Sequence, residues 1–159
     1  MSKLSILIFT SVLLFSSCVK DDESSSDNSS SSIFQCKIDG TDYKITGDNN
    51  AYAKQTGSDL FVIYGSEDAT KANFRNIYIS LPKVPSVGKY DINTNDIGSG
   101  SFFQSAKLYN SAFPGGSGKL EITEKTETRV KGTFNFIGTT TTSEQKNITE
   151  GSFDVAIKQ

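Results

Sequence analysis

From Phe34 to Ile157 apolar side chains recur at every second position, in short runs broken by Gly, Asn, Asp and Ser. A period of two puts one side of a strand in a core and the other in water, so the pattern admits β-strands and little else. Phe34, Cys36 and Ile38 alternate with Gln35, Lys37 and Asp39. Asp39-Gly40 offers a tight turn, and Tyr43 and Ile45 continue the alternation, which predicts a hairpin. Gly47 to Asn50 reads as a loop and Ala51 to Gln55 as a weak strand. Leu60-Phe61-Val62-Ile63-Tyr64 is five apolar residues in a row. It reads as a strand covered on both faces at the centre of the core.

Ser66 to Asn73 is too short to hold a helix alone and reads as a connection. Ile77, Ile79 and Leu81 alternate up to Pro82, which ends or edges a strand because it lacks a ladder donor. Val87 to Ile92 supplies another strand, Asn93 to Gly100 a loop, and Phe102 to Tyr109 a further alternating run. After a loop at Asn110 to Gly118, Leu120 and Ile122 lead through a turn at Glu124 to Thr128 into Val130, Gly132, Phe134 and Phe136, a long hairpin. The threonine-rich loop Thr139 to Lys146 precedes Ile148 and a final strand with Phe153, Val155 and Ile157 inward. The expectation is an all-β fold, an antiparallel β-sandwich or small barrel of about nine strands, with no substantial helix after the leader.

The leader is a different kind of segment. Lys3 precedes an apolar run from Leu4 to Phe15, and Ser16 and Ser17 then meet Cys18. A helix that spans the bilayer needs about 20 apolar residues, so this shorter run reads as a removable secretory signal, residues 1–17, cut after Ser17. The site resembles the lipobox of bacterial lipoproteins, with Phe15 standing where such boxes carry a smaller aliphatic residue. The resemblance implies that Cys18 is acylated and that membrane lipid is its partner. Val19 to Ser32 holds seven serines and no aromatic residue. It reads as a tether, residues 18–32, with a span of roughly 20 Å as a flexible coil. Lys20, Asp21, Asp22 and Glu23 resemble the export signal that routes Bacteroidota lipoproteins to the outer face of the outer membrane. Residues 33–159 then form a single β domain, a length that suits one core.

Charge and chemistry narrow the function. Of 16 basic and 18 acidic residues, Lys3, Lys20, Asp21, Asp22, Glu23 and Asp27 precede Ile33, so the domain itself is neutral and has no basic run for nucleic acid. Histidine is absent, which removes serine triads, Cys/His dyads and ordinary zinc sites. Cys36, on the same strand face as Phe34 and Ile38, reads as a buried structural thiol. Glu121, Glu124, Glu127, Glu144, Glu150 and Asp154 are the candidates for a carboxylate hydrolase, but most of them fall at outward or loop positions. Gly115-Gly116-Ser117-Gly118-Lys119 lacks the first glycine and the closing Ser or Thr of a phosphate loop. Asp91 to Asp96 alternates oxygen ligands like the opening of a calcium loop, yet lacks its glycine and its closing Glu. No cofactor, metal or catalytic residue is therefore assigned. Phe113, in a Gly-Pro loop, and Tyr109 remain as ligand-contact candidates, with the loops Asn93 to Gly100, Asn110 to Gly118 and Thr139 to Lys146 around them.

Several segments carry a wider resemblance: Ile77-Tyr78-Ile79-Ser80-Leu81-Pro82, Val87-Gly88-Lys89-Tyr90-Asp91-Ile92, Gly118-Lys119-Leu120-Glu121-Ile122-Thr123, Val130 to Phe136 and Ile148 to Phe153. Together they are similar to a family of uncharacterised β domains in Bacteroidota lipoproteins. That resemblance implies a shape and an address, with no active site. The functional expectation is a non-enzymatic, surface-exposed outer-membrane lipoprotein whose β domain binds an envelope or extracellular ligand, a glycan being one candidate. An accessory subunit held by an outer-membrane protein through a sheet edge is the alternative, and a glycoside hydrolase stands third.

Overall fold

The computed structural model describes residues 31–94 and 97–159, and every regular element among them is a β-strand. The assignments at Ser17, Cys18 and Lys20 to Glu23 lie outside the described residues, as do Asn95 and Asp96. Twelve strands are present where about nine were expected. In chain order they are β1 (Ile33–Ile38), β2 (Thr41–Thr46), β3 (Ala51–Thr56), β4 (Leu60–Ser66), β5 (Arg75–Leu81) and β6 (Gly88–Asp91). There follow β7 (Asn93–Thr94), β8 (Gly98–Gln104), β9 (Lys107–Asn110), β10 (Ser117–Lys125), β11 (Arg129–Thr139) and β12 (Gln145–Lys158).

The strands make two layers. One runs β2-β1-β12-β11-β10-β6 and the other β3-β4-β5-β8-β9, with β7 added beside β8. They are hydrogen-bonded to each other at two seams, so sandwich and barrel are both apt. At one seam the end of β12 pairs with β3, Ile157 opposite Ala53, and at the other Thr139 of β11 stands opposite Asn110 of β9. The β3–β12 pair is parallel, the one departure from an antiparallel fold. The chain also crosses between layers at Ile92, whose N–H donates to Gly118 O at 3.0 Å between β6, paired to β10, and β7, paired to β8.

Phe34, Tyr43, Leu120, Ile122, Phe136 and Ile148 from the first layer meet Phe61, Ile63, Ile77, Ile79 and Phe102 from the second in one buried core. In β12 an extra residue keeps the pattern intact. Gln35 opposes Ser152 while Lys37 opposes Thr149, and Phe134 opposes Gly151 while Phe136 opposes Ile148. This bulge, with Glu150 at φ 52°, reverses the alternation, so that Ile148 and Phe153 both point inward.

Three readings of the sequence need correction. Asn93 to Gly100 is not a loop: Asn93 and Thr94 pair with Ser99 and Gly98, and β8 begins at Gly98. Its small residues are there for packing, since a Cβ on Gly100 would lie 2.6 Å from the ring of Phe136. Phe102 to Tyr109 is not one strand but a hairpin, turned by Ser105 and Ala106 at φ 52° and 60°. The run Leu60 to Tyr64 is covered on one face only: Phe61 and Ile63 are buried, Val62 and Tyr64 are half-buried outside, and Leu60 is 38% exposed.

Candidate functional site

Because Ala51, Ala53, Phe61, Ile63, Ile77 and Ile79 fill the interior, the residues between them face out from the second layer. Three are tyrosines in direct cross-strand register, Tyr52 opposite Tyr64 and Tyr64 opposite Tyr78. The row continues through Ser101, opposite Tyr78, to Asn110. The Tyr52 and Tyr64 rings lie 5.1 Å apart at 41°, and Lys158 Nζ stands 4.1 Å over the Tyr52 ring. Burial, and then Tyr64, holds the Tyr52 hydroxyl pKa above its ordinary value, so it is a neutral donor at physiological pH. Val62 and Ser80 border the row on one side, Ser66, Asn76 and Phe103 on the other. All three tyrosines are half-buried.

Where the row meets the β4–β5 connection it borders a shallow cleft of about 530 Å³, lined by Tyr52, Tyr64, Asn49, Asn50, Glu67 and Asp68. Glu67 is held by Arg75, whose Nη2 and Nε donate to Oε1 at 2.5 and 3.1 Å and whose backbone N–H donates to Oε2 at 3.0 Å. Arg75 in turn lies 5.1 Å over the Tyr43 ring. Its hydrogen bond keeps the Glu67 carboxyl below the usual range. The backbone N–H and hydroxyl of Thr70, donating at 2.9 and 2.8 Å, do the same for Asp68. The cleft thus combines aromatic faces, amide groups and two ionised acceptors. That set suits a polyhydroxylated ring, whose C–H faces stack on aromatic side chains while its hydroxyls bond to amides and carboxylates.

Acid catalysis would need a carboxyl group pushed up. Among the described residues every resolved carboxyl shift runs down, at Asp39, Asp48, Glu67, Asp68 and Glu144. The carboxylates singled out in the sequence are mostly matched by bases on the outer surface. Glu144 pairs with Lys107 at 2.7 Å, Glu150 with Lys37 at 2.7 Å, Asp154 with Arg129 at 2.6 Å and Glu124 with Lys131 at 3.1 Å. Glu121 stands 3.9 Å from Lys89, and Glu127 is exposed in the β10–β11 turn. Among the described residues no three His, Cys, Asp or Glu side chains gather as metal ligands would. Lys119 of the glycine-rich stretch bonds to Asp91.

Tyr109 and Phe113, the residues favoured from sequence, sit elsewhere. Tyr109 is 6% exposed, its ring 5.8 Å from Phe102, and its hydroxyl donates to Glu144 at 3.3 Å. Phe113 is half-buried and lines a hollow of about 320 Å³ with Leu108, Thr140, Thr142 and Glu144. The loops Asn110 to Gly118 and Thr139 to Lys146 do meet, with the Thr139 hydroxyl donating to Pro114 O at 3.2 Å. The stretch Asn93 to Gly100 is not part of that hollow. The tyrosine row escaped the sequence reading because Tyr64 was counted into a doubly covered strand. Extending the alternation of three successive strands outward would have found it.

A family model described as a domain of unknown function (DUF6252) matches residues 30–155. Comparison with curated proteins and with solved structures found no match.

Proposed function

Since the chain belongs to the DUF6252 family, whose description assigns no activity, we propose a function from the chain itself: a lipid-anchored, non-catalytic domain that binds a glycan-like ligand on its tyrosine face. The observation that carries the binding role is the register of Tyr52, Tyr64 and Tyr78 beside a cleft of amides and ionised carboxylates. The address comes from the Leu4 to Cys18 leader with its lipobox-like site and from Lys20-Asp21-Asp22-Glu23. These support acylation of Cys18, attachment to the outer membrane and display on its exterior, as in Bacteroidota lipoproteins. The neutral domain gives no footprint for nucleic acid.

The test is binding of the soluble chain from Val19 onward to immobilised envelope and extracellular polysaccharides. Truncating a central aromatic contact in a binding site costs more than about 1 kcal/mol, and about 1.4 kcal/mol is tenfold in affinity. Tyr64→Ala should therefore weaken binding about tenfold, with Tyr52→Ala and Tyr78→Ala following. Binding that survives all three but is lost in Phe113→Ala would move the site to the Asn110 to Gly118 loop.

The alternative, an accessory subunit docked through a sheet edge, draws on β2 and β6, each of which pairs with one strand among the described residues. Asp42 and Lys44 on one and Lys89 and Asp91 on the other place charge along both edges, a device that discourages strand addition. A stoichiometric membrane protein retained by the lipidated chain in mild detergent, and not by Cys18→Ala, would favour this alternative.

A further inference from the structure

All five large apolar side chains that stand exposed among the described residues, Ile33, Leu60, Val84, Val87 and Ile97, lie at one end of the fold. The strand register places them there. In the first layer Gly88, Ile122, Gly132, Phe153 and Phe34 form one cross-strand row, and the next row outward holds Lys131, Asp154 and Ile33, level with Val87. The second layer is oriented by β3, which runs parallel to β12. The Thr56–Leu60 turn, the Leu81–Gly88 connection and Ile97 therefore come to the end toward which β12 runs. Val87 and Ile97 are 62% and 50% exposed, and Leu81, Pro82, Lys83, Pro85, Tyr90 and Ile97 line a mainly apolar hollow of about 250 Å³. The same end also carries the polar turns Thr56 to Asp59 and Glu124 to Thr128, whereas the opposite end has polar connections alone, at Asp39-Gly40, Glu67 to Phe74, Ser105-Ala106 and Thr140 to Glu144, with no large apolar residue exposed among the described residues.

The chain also enters the domain at the apolar end, through Ser32 and Ile33. We infer that this end is a membrane-docking surface: Val84, Val87 and Ile97 enter the headgroup and acyl boundary of the bilayer that holds Cys18, with Lys83 and Lys89 at the lipid phosphates. Docking presupposes the Cys18 anchor proposed above. The occupant follows from where the chain leads: fourteen residues separate Cys18 from Ile33, and fully extended they reach at most about 50 Å, which keeps this end within reach of the lipid. Exposed aliphatic side chains beside lysines suit the interface of an anionic bilayer. Docked in this way, the domain presents its polar end outward and the tyrosine face sideways, open to a ligand lying along the membrane.

The chain has no tryptophan, so one introduced indole reports depth without background. Val87→Trp, Ile97→Trp and, at the polar end, Thr141→Trp would be made in the full lipidated chain. Each would be floated with vesicles of phosphatidylethanolamine and phosphatidylglycerol that carry bromine on the acyl chains. The expected result is at least twofold quenching with a blue shift for Val87→Trp and Ile97→Trp, and neither for Thr141→Trp. Flotation with equal or no quenching at the three positions overturns docking and leaves the anchor standing. A wild-type chain that does not float with the vesicles overturns the anchor and docking with it. Self-association of the Cys18→Ala chain that is lost in Val87→Asp overturns the lipid assignment in favour of a second copy.

Discussion

Cys36 offers a prediction that can be worked through from the structure. Its side chain is 5% exposed on the inner face of β1, and burial lifts the thiol from an ordinary 9.0 to about 12, opposed weakly by Arg75. The sign follows from proton linkage. Below pH 9 the thiol is protonated in both states and contributes no pH dependence. Above it the unfolded chain releases a proton that the folded chain keeps, so stability falls as pH rises toward 12. One proton is worth about 1.4 kcal/mol per pH unit, and with the unfolded thiol mostly ionised at pH 10 the loss there is about 1.4 kcal/mol. Urea unfolding of wild type and Cys36→Ala under reducing conditions at pH 7, 8, 9 and 10 measures it. The variant loses packing equally at every pH, so the readout is how far the gap between the two proteins narrows from pH 7 to pH 10. With a urea slope of about 1–3 kcal/mol per molar, the midpoints should converge by roughly 0.5–1.4 M. Parallel pH profiles would refute the reasoning, as would a native-state thiol that reacts with a disulfide reagent as fast as a free one.

Other perturbations test the packing and the charges. Phe136→Ala, which empties the space kept open by Gly100, should cost about 3–5 kcal/mol in urea unfolding; a loss under 1 kcal/mol would mean that the layers are not keyed together there. Tyr43→Phe removes a buried hydroxyl that reaches Gly65 O at 2.9 Å and Arg75 O at 3.1 Å. It should cost about 1–2 kcal/mol, and an unchanged midpoint would contradict the assignment of that bond. On the acid side the Glu67 carboxyl, held low by its hydrogen bond from Arg75, contributes stability that is present above the unfolded value near pH 4.5 and lost as pH falls through its folded value. Melting temperature should therefore fall below that pH, and Glu67→Gln should flatten the drop; identical acid limbs in the two proteins would count against it.

Local physics was readable in the sequence where one strand face is buried and the turn has its own chemistry. The β1–β2 hairpin is such a case, with Asp39 and Gly40 at φ 48° and 81° and the alternation of Phe34, Cys36, Tyr43 and Ile45 intact on both sides. The β8–β9 turn was hidden because Ser105 and Ala106 adopt positive φ without the residues that announce it. The Gly98 to Ser101 stretch looks like a loop until Phe136, distant in the chain, is known to need the space over Gly100. The bulge at Glu150 left a trace, since Ile148 and Phe153 lie an odd number of positions apart and cannot share a face of a regular strand. The parallel contact of β3 with β12 and the two seams left none, being pairings between remote segments. The tyrosine row is intermediate: each ring follows from its own strand's alternation, but the register that lines them up belongs to the sheet.

The most direct test of ligand binding on the tyrosine face is to map backbone-amide shifts of the isotope-labelled soluble chain during titration with envelope oligosaccharides. The largest shifts should fall on Tyr52, Tyr64, Tyr78 and the cleft residues Asn49, Asn50 and Asp68, and in Tyr64→Ala they should need about tenfold more ligand to reach the same size. Shifts centred on Phe113 and Thr140 to Glu144, with the tyrosine row silent, would contradict it.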